Sequence, residues 1–143
     1  GIRIVEPTVG DSAELEMAPV DKVLVDVPCS GLGVLRKKPD VKWKREPEDI
    51  GRLVKIQARL LENAARLVKP GGVIVYSTCT MEPEENTLMV KSFLDRHPEF
   101  TLDPASEYVN MAVVTSQGYI ETLPHRHHID GSFAARLVRS ASS

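Results

Sequence analysis

A strand–helix–strand pattern with a cysteine after each strand is the feature of this sequence that most restricts its fold. The apolar β-branched runs at residues 23–25 and 73–75 lead to Cys29 and Cys79, and one amphipathic helical pattern lies between them. Such a unit forms neighbouring parallel strands joined by a right-handed crossover. Because adjacent strands lie about 4.8 Å apart, both thiols are predicted to lie side by side at the carboxyl edge of the sheet, where open α/β sheets place their ligands.

Composition and charge are those of one globular domain. The chain has 143 residues, of which 42% are hydrophobic and 27% charged, and these values are ordinary for a soluble protein with a packed core. No apolar run approaches the roughly 18 residues that span a membrane. Two cysteines do not make a disulfide framework, so the pattern predicts a reducing, cytoplasmic location. The net charge of −2 argues against a basic coat over the whole surface but permits a local basic patch.

Hydrophobic periodicity and turn residues predict the order of the elements. Helices are predicted from Pro47 to about residue 68 and from Pro83 to just before Pro98, and residues 30–46 are predicted to form a Gly-rich, basic loop. A turn is expected at residues 69–72. The predicted strands are residues 3–5, 21–26, 73–77, 118–123 and 133–138, the last two as an antiparallel pair.

Three short motifs resemble one enzyme family. Residues 26–31 (Asp-Val-Pro-Cys-Ser-Gly), 77–79 (Ser-Thr-Cys) and 83–86 (Pro-Glu-Glu-Asn) are similar to the signature of the RNA cytosine-5 methyltransferases, specifically the Sun (Fmu, RsmB-like) branch. The resemblance covers nearly the whole chain. It implies an α/β fold, namely a partial Rossmann-like S-adenosylmethionine-dependent methyltransferase fold with strand order 3-2-1-4-5-7-6 that lacks its first strands and ends in an antiparallel hairpin.

By this resemblance, residues 1–143 are expected to be the C-terminal portion of a catalytic domain. No Gly-rich loop for the methionine end of the cofactor follows residues 3–5, and the family's N-terminal RNA-binding domain is not seen. The expected partners are therefore RNA and the N-terminal remainder of the same polypeptide. The strand that ends at Asp26 is expected to have an open edge that favours self-association, and the chain alone is expected to be inactive and to bind cofactor weakly.

The resemblance also assigns roles to the two thiols. C5 of cytosine is a poor nucleophile, so a thiolate first adds to C6, and the resulting enamine accepts the methyl group. Cys79 corresponds to the attacking thiolate and Cys29 to the second thiol, which is associated with release of the product. A free thiol needs help to ionise at neutral pH, and the helix N-terminus expected at Pro83 would supply it. The structural alternative for each cysteine is an inert buried thiol.

Three residues are predicted to serve the cofactor and the base. Asp26 is predicted to hydrogen-bond or protonate the cytosine, which is general acid catalysis, and to contact the cofactor together with Pro28. Asp11, after Gly10, resembles the acidic position that binds the adenine of S-adenosylmethionine. Structural roles in turns remain open for both aspartates, since Asp readily bonds to its own backbone.

A basic segment follows Cys29 and is predicted to bind RNA. Residues 36–45 carry six cations and one anion. Cations at this sheet edge can contact phosphates and make binding fall with salt, although a solvated loop is the simpler alternative. Trp43 in the same segment either stacks on a base or packs. The predicted RNA-binding residues are Arg36, Lys37, Lys38, Lys42, Lys44 and Arg45.

Rival assignments fit the sequence less well. His125, His127 and His128 lack the cysteine or carboxylate partners of a familiar metal site, so no metal is predicted. Six residues separate Cys29 from Arg36, one more than a phosphotyrosine-phosphatase loop allows. No feature of the sequence brings a histidine to either thiol, as a cysteine protease requires. The DNA cytosine-5 methyltransferases place their nucleophile in the Pro-Cys motif and lack the Thr-Cys element.

The resemblance to the Sun branch therefore implies methyl transfer from S-adenosylmethionine to C5 of cytosine in small-subunit ribosomal RNA. Transfer RNA is the alternative substrate, because RNA choice in the family lies largely outside these residues. A catalytically silent RNA-binding fragment is the alternative from another functional class.

Overall fold

Two parallel strands form the part of the sheet from which the cysteines extend. The computed structural model describes residues 4–141. In it, strand β1 (Val20–Asp26) pairs in parallel with strand β2 (Val68–Thr78), and Asp26 lies opposite Ser77. Helices α1 (Val41–Lys44) and α2 (Pro47–Leu67) connect the two strands. The predicted strand–helix–strand unit is confirmed, and both strands end at the same edge of the sheet.

The rest of the sheet is antiparallel. Helix α3 (Thr87–Arg96) follows β2 and leads to strand β3 (Phe100–Leu102), strand β4 (Ile120–Thr122), helix α4 (Pro124–His127) and strand β5 (Ser132–Arg139). Strand β5 pairs antiparallel with β2 on one side and with both β3 and β4 on the other. The order β1-β2-β5-β3 corresponds to the 4-5-7-6 part of the expected order, and the C-terminal antiparallel pair is confirmed.

The main core lies between one face of the sheet and helices α2 and α3. Alternate residues of β2 and β5, including Ile74, Tyr76 and Leu137, are buried against Leu61 of α2 and Phe93 of α3. Burying side chains of this size contributes roughly 1.5–3 kcal/mol each. Within residues 4–141, no helix combines the length and the apolar character that crossing a membrane requires.

The start of helix α2 shows how its sequence defines its boundary. Pro47 occupies the first turn, where a missing N–H costs nothing. Glu46 and Asp49 close the helix start, because the Glu46 N–H donates to the Asp49 carboxylate at 3.0 Å and the Asp49 N–H donates to the Glu46 carbonyl at 3.0 Å. Acidic residues at this end also interact favourably with the helix dipole. The predicted start at Pro47 is confirmed.

Four local predictions need correction. Ile4 and Val5 are exposed and lie in no strand, and Arg3 lies outside the described residues. The basic loop contains a 3-10 turn (Leu32–Val34) and helix α1. The turn predicted at residues 69–72 lies within β2 as a bulge, since the register jumps from Val20 opposite Val68 to Lys22 opposite Val73, and Gly71 has the positive φ of 77° that such a turn requires.

Helix α3 begins at Thr87, four residues after the predicted start at Pro83. Residues 83–86 form a turn whose last member, Asn86, has φ −114° and ψ −102°, which are not helical values. Glu85 and Asn86 turn their side chains inward, where Asn86 accepts a hydrogen bond from the Thr78 hydroxyl at 2.6 Å. Buried hydrogen bonding therefore replaces the first helical turn.

Three loops meet at two glycines above the sheet edge. The Gly33 N–H donates to the Cys79 carbonyl at 3.0 Å, and the Gly131 N–H donates to the Gly33 carbonyl at 2.7 Å. A Cβ atom on Gly33 would overlap the Gly131 carbonyl and lie 2.7 Å from the Cys79 carbonyl oxygen. We call this contact the glycine joint. It allows the loops after β1, β2 and β4 to share backbone hydrogen bonds.

We expect Gly33→Ala in the full-length gene product to lower the free energy of unfolding by about 1–3 kcal/mol, because the added methyl group must displace backbone. Gly51→Ala is the matched control. Its Cβ would meet nothing within 4 Å, and it lies inside α2, where alanine is favoured by about 0.5–1 kcal/mol. Urea unfolding measures the free energy of unfolding of both variants. An equal change in the two variants would contradict the close approach at the glycine joint.

Candidate active site

The two thiols lie in direct contact at the carboxyl edge of β1 and β2. The Cys29 and Cys79 sulfur atoms are 2.9 Å apart, and the Cys79 backbone N–H donates to the Cys29 sulfur at 3.2 Å. Both cysteines are free thiols; Cys29 is half-buried and Cys79 is exposed. The predicted juxtaposition of the two sulfurs is therefore present in the fold, fifty residues apart in the chain.

The surroundings of Cys29 favour its neutral form. Burial, together with the hydrogen bond to the Cys79 thiol, raises the pKa of Cys29 to about 12. Removing a thiolate from water is costly, and here the backbone N–H of Cys79 offsets that cost only in part. At neutral pH Cys29 therefore carries a proton that it can donate to the sulfur of Cys79, while Cys79 remains accessible to an incoming electrophile.

A buried polar cluster lies beneath the cysteines. Glu85 is fully buried and accepts hydrogen bonds from the Ser30 N–H at 2.9 Å, from the Ser30 hydroxyl at 2.5 Å and from the Gln57 amide at 2.8 Å. The same Gln57 amide donates to the Pro28 carbonyl at 2.9 Å. Ser30 and Thr80 share a hydroxyl hydrogen bond of 2.7 Å. We call Glu85, Ser30, Gln57 and Thr80 the Glu85 cluster.

The three predicted cofactor residues line one cleft of about 390 Å³. Asp11 and Asp26 supply carboxylates, and Pro28, Ile56 and Leu60 supply apolar surface. The Asp11 carboxylate accepts from the Ala13 N–H at 2.8 Å, and that of Asp26 accepts from the Ser77 hydroxyl at 2.9 Å.

The lining of this cleft suits S-adenosylmethionine. Apolar side chains can flank an adenine ring, and carboxylates can accept from its hydroxyl or amino groups or attract its sulfonium charge. The residues present therefore fit the cofactor, with Asp11, Asp26 and Pro28 as the groups that would hold it.

A second cleft, of about 420 Å³, opens beside Cys79. Arg36 and Lys37 line one part of it, and His128 and Asp130 line another. We call it the Cys79 cleft. It combines the exposed thiol with cationic side chains, so it offers both a nucleophile and contacts for a phosphate.

The cations of the basic segment fall into two groups, and the first group is bonded to neighbouring loops. Arg45 donates to the Ser30 and Cys29 carbonyls at 2.9 and 3.4 Å, and Arg36 donates to the His128 carbonyl at 2.8 Å. Lys37 pairs with Asp130 at 2.8 Å. These three cations hold loops together, and two of them, Arg36 and Lys37, also line the Cys79 cleft.

The remaining cations of the segment lie on its outer side. Lys44 pairs with Asp40 at 2.8 Å. Lys38 and Lys42 are exposed, and Trp43 is 82% exposed with the Lys42 ammonium 5.2 Å from its ring centre. The packing alternative for Trp43 receives no support from the described residues.

The histidines are not assembled into a metal centre. His127 accepts from the Leu123 N–H with Nδ1, and its Nε2 lies 2.9 Å from the Ala112 carbonyl, so the ring ties α4 to the preceding loop. His128 lines the Cys79 cleft. Residues 4–141 contain no cluster of three or more histidine, cysteine or carboxylate side chains suited to a metal ion.

Comparison with known proteins places this arrangement in a family. Residues 4–138 match the model of the family described as 16S rRNA methyltransferase RsmB/F. The chain belongs to this family. A relative named probable ribosomal RNA small subunit methyltransferase B, from Synechocystis, is 42% identical over 96% of the chain. The chain spans 30% of the length of that relative.

Solved structures agree with the family assignment. The crystal structure of PH0851 has a TM-score of 0.84 and 40% identity over 96% of the chain, which covers 31% of that protein. The structure of NSun6 from Pyrococcus horikoshii with SFG has a TM-score of 0.74 and 30% identity over 87% of the chain, again covering 31%. The expected partial Rossmann-like methyltransferase fold is therefore confirmed.

Sequence reasoning missed Gln57 and the structural role of Glu85. Gln57 lies on α2 among residues that look like an ordinary amphipathic helix, and it is fully buried. Its position on the buried side of the helical pattern was the available signal, because an amide there must find partners. Glu85 belongs to the Pro-Glu-Glu-Asn motif, but the local sequence predicts a helix start there and gives no sign of its buried partners.

The different surroundings of the two thiols predict different reactivity. With iodoacetamide at pH 8, we expect Cys79 to be labelled at least about tenfold faster than Cys29, because the thiolate is the nucleophile and a raised pKa makes it scarce. Peptide mapping after short exposure of the native full-length gene product measures both rates. Unfolded protein is the control, in which the rates should converge, and equal rates in the native protein would contradict the assigned environment of Cys29.

Proposed function

We propose that this chain carries the catalytic cysteines of an enzyme that methylates C5 of cytosine in small-subunit ribosomal RNA. The observation that carries the proposal is the contact of two free thiols, 2.9 Å apart, at the carboxyl ends of paired parallel strands. Membership of the 16S rRNA methyltransferase RsmB/F family supports the class of reaction and substrate. On this proposal residues 1–143 are the C-terminal part of the catalytic domain and act in the cytoplasm.

Cys79 acts as the nucleophile. It is exposed and lines the Cys79 cleft, so its sulfur can add to C6 of a cytosine that enters there. Addition at C6 creates an enamine, whose C5 would accept the methyl group while the sulfonium of the cofactor becomes a neutral thioether. Water in the open cleft would then take the C5 proton, and the C6–sulfur bond would break with Cys79 leaving as the thiolate. Covalent catalysis of this kind divides one difficult step into easier ones.

Cys29 assists the departure of Cys79. Its raised pKa keeps the thiol protonated, and its sulfur lies within hydrogen-bonding distance of the Cys79 sulfur. Donation from Cys29 stabilises negative charge on Cys79, which develops when the C6–sulfur bond breaks. A donor already in place gives this stabilisation without reorganisation during the reaction.

The cofactor is S-adenosylmethionine, held in part by Asp11, Asp26 and Pro28. It supplies the electrophilic methyl group. Asp26 extends from the strand end next to Pro28 and Cys29, and we assign its carboxyl group to polarising the cytosine. The cleft lined by Asp11, Asp26 and Pro28 shares no lining residue with the Cys79 cleft.

Loss of Cys29 is expected to trap the covalent intermediate. Full-length Cys29→Ala, incubated with ribosomal RNA and S-adenosylmethionine, should give a protein–RNA band that survives denaturing electrophoresis, because elimination of Cys79 is slowed. Cys29→Ala with Cys79→Ala is the control and should give no band. Methyl transfer at wild-type rate without an adduct would refute the role of Cys29. If only transfer RNA reacts, the substrate is transfer RNA and not ribosomal RNA. If no RNA reacts, a catalytically silent RNA-binding protein becomes the better assignment.

The exposed lysines of the basic segment are expected to bind phosphates. Replacing Lys38 and Lys42 with alanine should reduce the slope of log affinity against log salt by about 1.4, from about 0.7 for each single-strand phosphate contact. Lys22→Ala with Lys69→Ala removes the same charge at the opposite end of β1 and β2 and is the matched control. Fluorescence anisotropy with labelled RNA measures the slopes, and identical slopes for both double variants would exclude a local contact.

A further inference from the structure

Glu85 contacts neither cleft of the proposed site, yet it is connected to both cysteine loops. Its carboxyl group is fully buried and accepts from the backbone and hydroxyl of Ser30 and from the Gln57 amide. Ser30 is the residue after Cys29, so two of these three hydrogen bonds act on the Cys29 loop. The third continues through the Gln57 amide to the carbonyl of Pro28, the residue before Cys29.

The Cys79 loop is joined to the same cluster. The Ser30 hydroxyl lies 2.7 Å from the hydroxyl of Thr80, the residue after Cys79. Asn86, next to Glu85, donates to the Thr80 carbonyl at 3.1 Å. The backbone of Glu85 is itself held to β2, because the buried Tyr76 hydroxyl donates to the Glu85 carbonyl at 2.7 Å.

We propose that Glu85 is a positioning residue that holds the thiols of Cys29 and Cys79 in apposition. A buried carboxyl group is costly unless its hydrogen bonds are satisfied. Here both oxygens of the Glu85 carboxyl group accept hydrogen bonds, although the Gln57 carbonyl oxygen is buried without a partner. Directional hydrogen bonds of this kind specify a geometry in a way that apolar packing does not. Here the network connects the residues that directly follow the two cysteines, so its geometry determines the distance between the sulfurs.

The consequence for catalysis rests on the proposed function. If Cys29 assists the departure of Cys79, a longer distance between the sulfurs weakens that assistance and lowers kcat. The exposed Lys38 and Lys42 of the basic segment lie on its outer side, so we expect KM for RNA to change little. Glu85 would thus act through the thiols and not by touching the RNA or the cofactor.

Thiol–disulfide exchange measures the apposition without any assay of activity. In glutathione buffers, one glutathione disulfide oxidises the Cys29–Cys79 dithiol, the protein gains one sulfur–sulfur bond, and two glutathione thiols are released. The equilibrium constant reports how well the protein holds the two sulfurs together, since a preorganised pair needs little further ordering. Mass spectrometry after acid quenching and alkylation gives the oxidised fraction of the full-length gene product.

We expect Glu85→Ala to lower this constant at least about tenfold, because it removes the acceptor of all three hydrogen bonds. Ser30→Ala should lower it about fivefold, because it removes the hydroxyl that joins Glu85 to Thr80 in the Cys79 loop but keeps the backbone hydrogen bond to Glu85. Glu85→Gln keeps an acceptor for the Ser30 N–H and the Gln57 amide, so it should remain within about threefold of wild type. Glu84→Ala is the matched control, since this neighbouring glutamate is exposed, and it should leave the constant unchanged.

The outcomes separate the two proposals. Circular dichroism and thermal unfolding establish whether each variant is folded. If Glu85→Ala does not fold, the equilibrium constant of Ser30→Ala is the test of the positioning role. A folded variant with the wild-type constant overturns the positioning role, whatever its activity. A lowered constant supports the positioning role even if no RNA is methylated. In that case the proposed function is refuted while the positioning role of Glu85 is retained. Where methylation is observed, a lower kcat of Glu85→Ala with an unchanged KM for RNA further supports the positioning role.

Discussion

The parallel pairing of β1 with β2 is the constraint on which the site depends. Parallel strands need a long crossover, and α2 provides it while burying its apolar side against the same strands. Both strands then end at the same edge of the sheet. The loops that follow them therefore start side by side, although their cysteines are fifty positions apart in the sequence. The contact of Cys29 with Cys79 follows from this topology together with the hydrogen bonds that hold the loops.

Above the sheet edge, the loops are held chiefly by hydrogen bonds to backbone and to buried side chains, and of these groups Gly131 also lines the Cys79 cleft. The Glu85 cluster lies below the cysteines, the glycine joint lies beside Cys79, and Arg45 donates to carbonyls on the outer side of the Cys29 loop. Buried hydrogen bonds to a carboxyl group are stronger than those between neutral groups. The exposed thiol of Cys79 and the outer lysines are consequently left available for other molecules.

The sequence was most informative where periodicity and strand ends decide the outcome. The unit from β1 to β2, the start of α2 at Pro47 and the juxtaposition of the thiols were all predicted from local patterns. The start of α3 was predicted four residues early, because Pro83 and its glutamates resemble a helix start while tertiary hydrogen bonds redirect Glu85 and Asn86 into the core. Side-chain partners fifty residues away cannot be read from such local signals.

The glycine joint also bears on how RNA reaches the Cys79 cleft. Because the three loops share backbone hydrogen bonds through Gly33 and Gly131, moving them apart to widen the cleft would break those bonds. Under the proposed function, the conformational adjustment then falls on the nucleic acid: the target cytosine must unstack and rotate outward, at a cost of a few kcal/mol. Unpaired or weakly stacked cytosines meet that cost most easily, so the rigidity of two glycine contacts becomes a means of selecting RNA by its local structure.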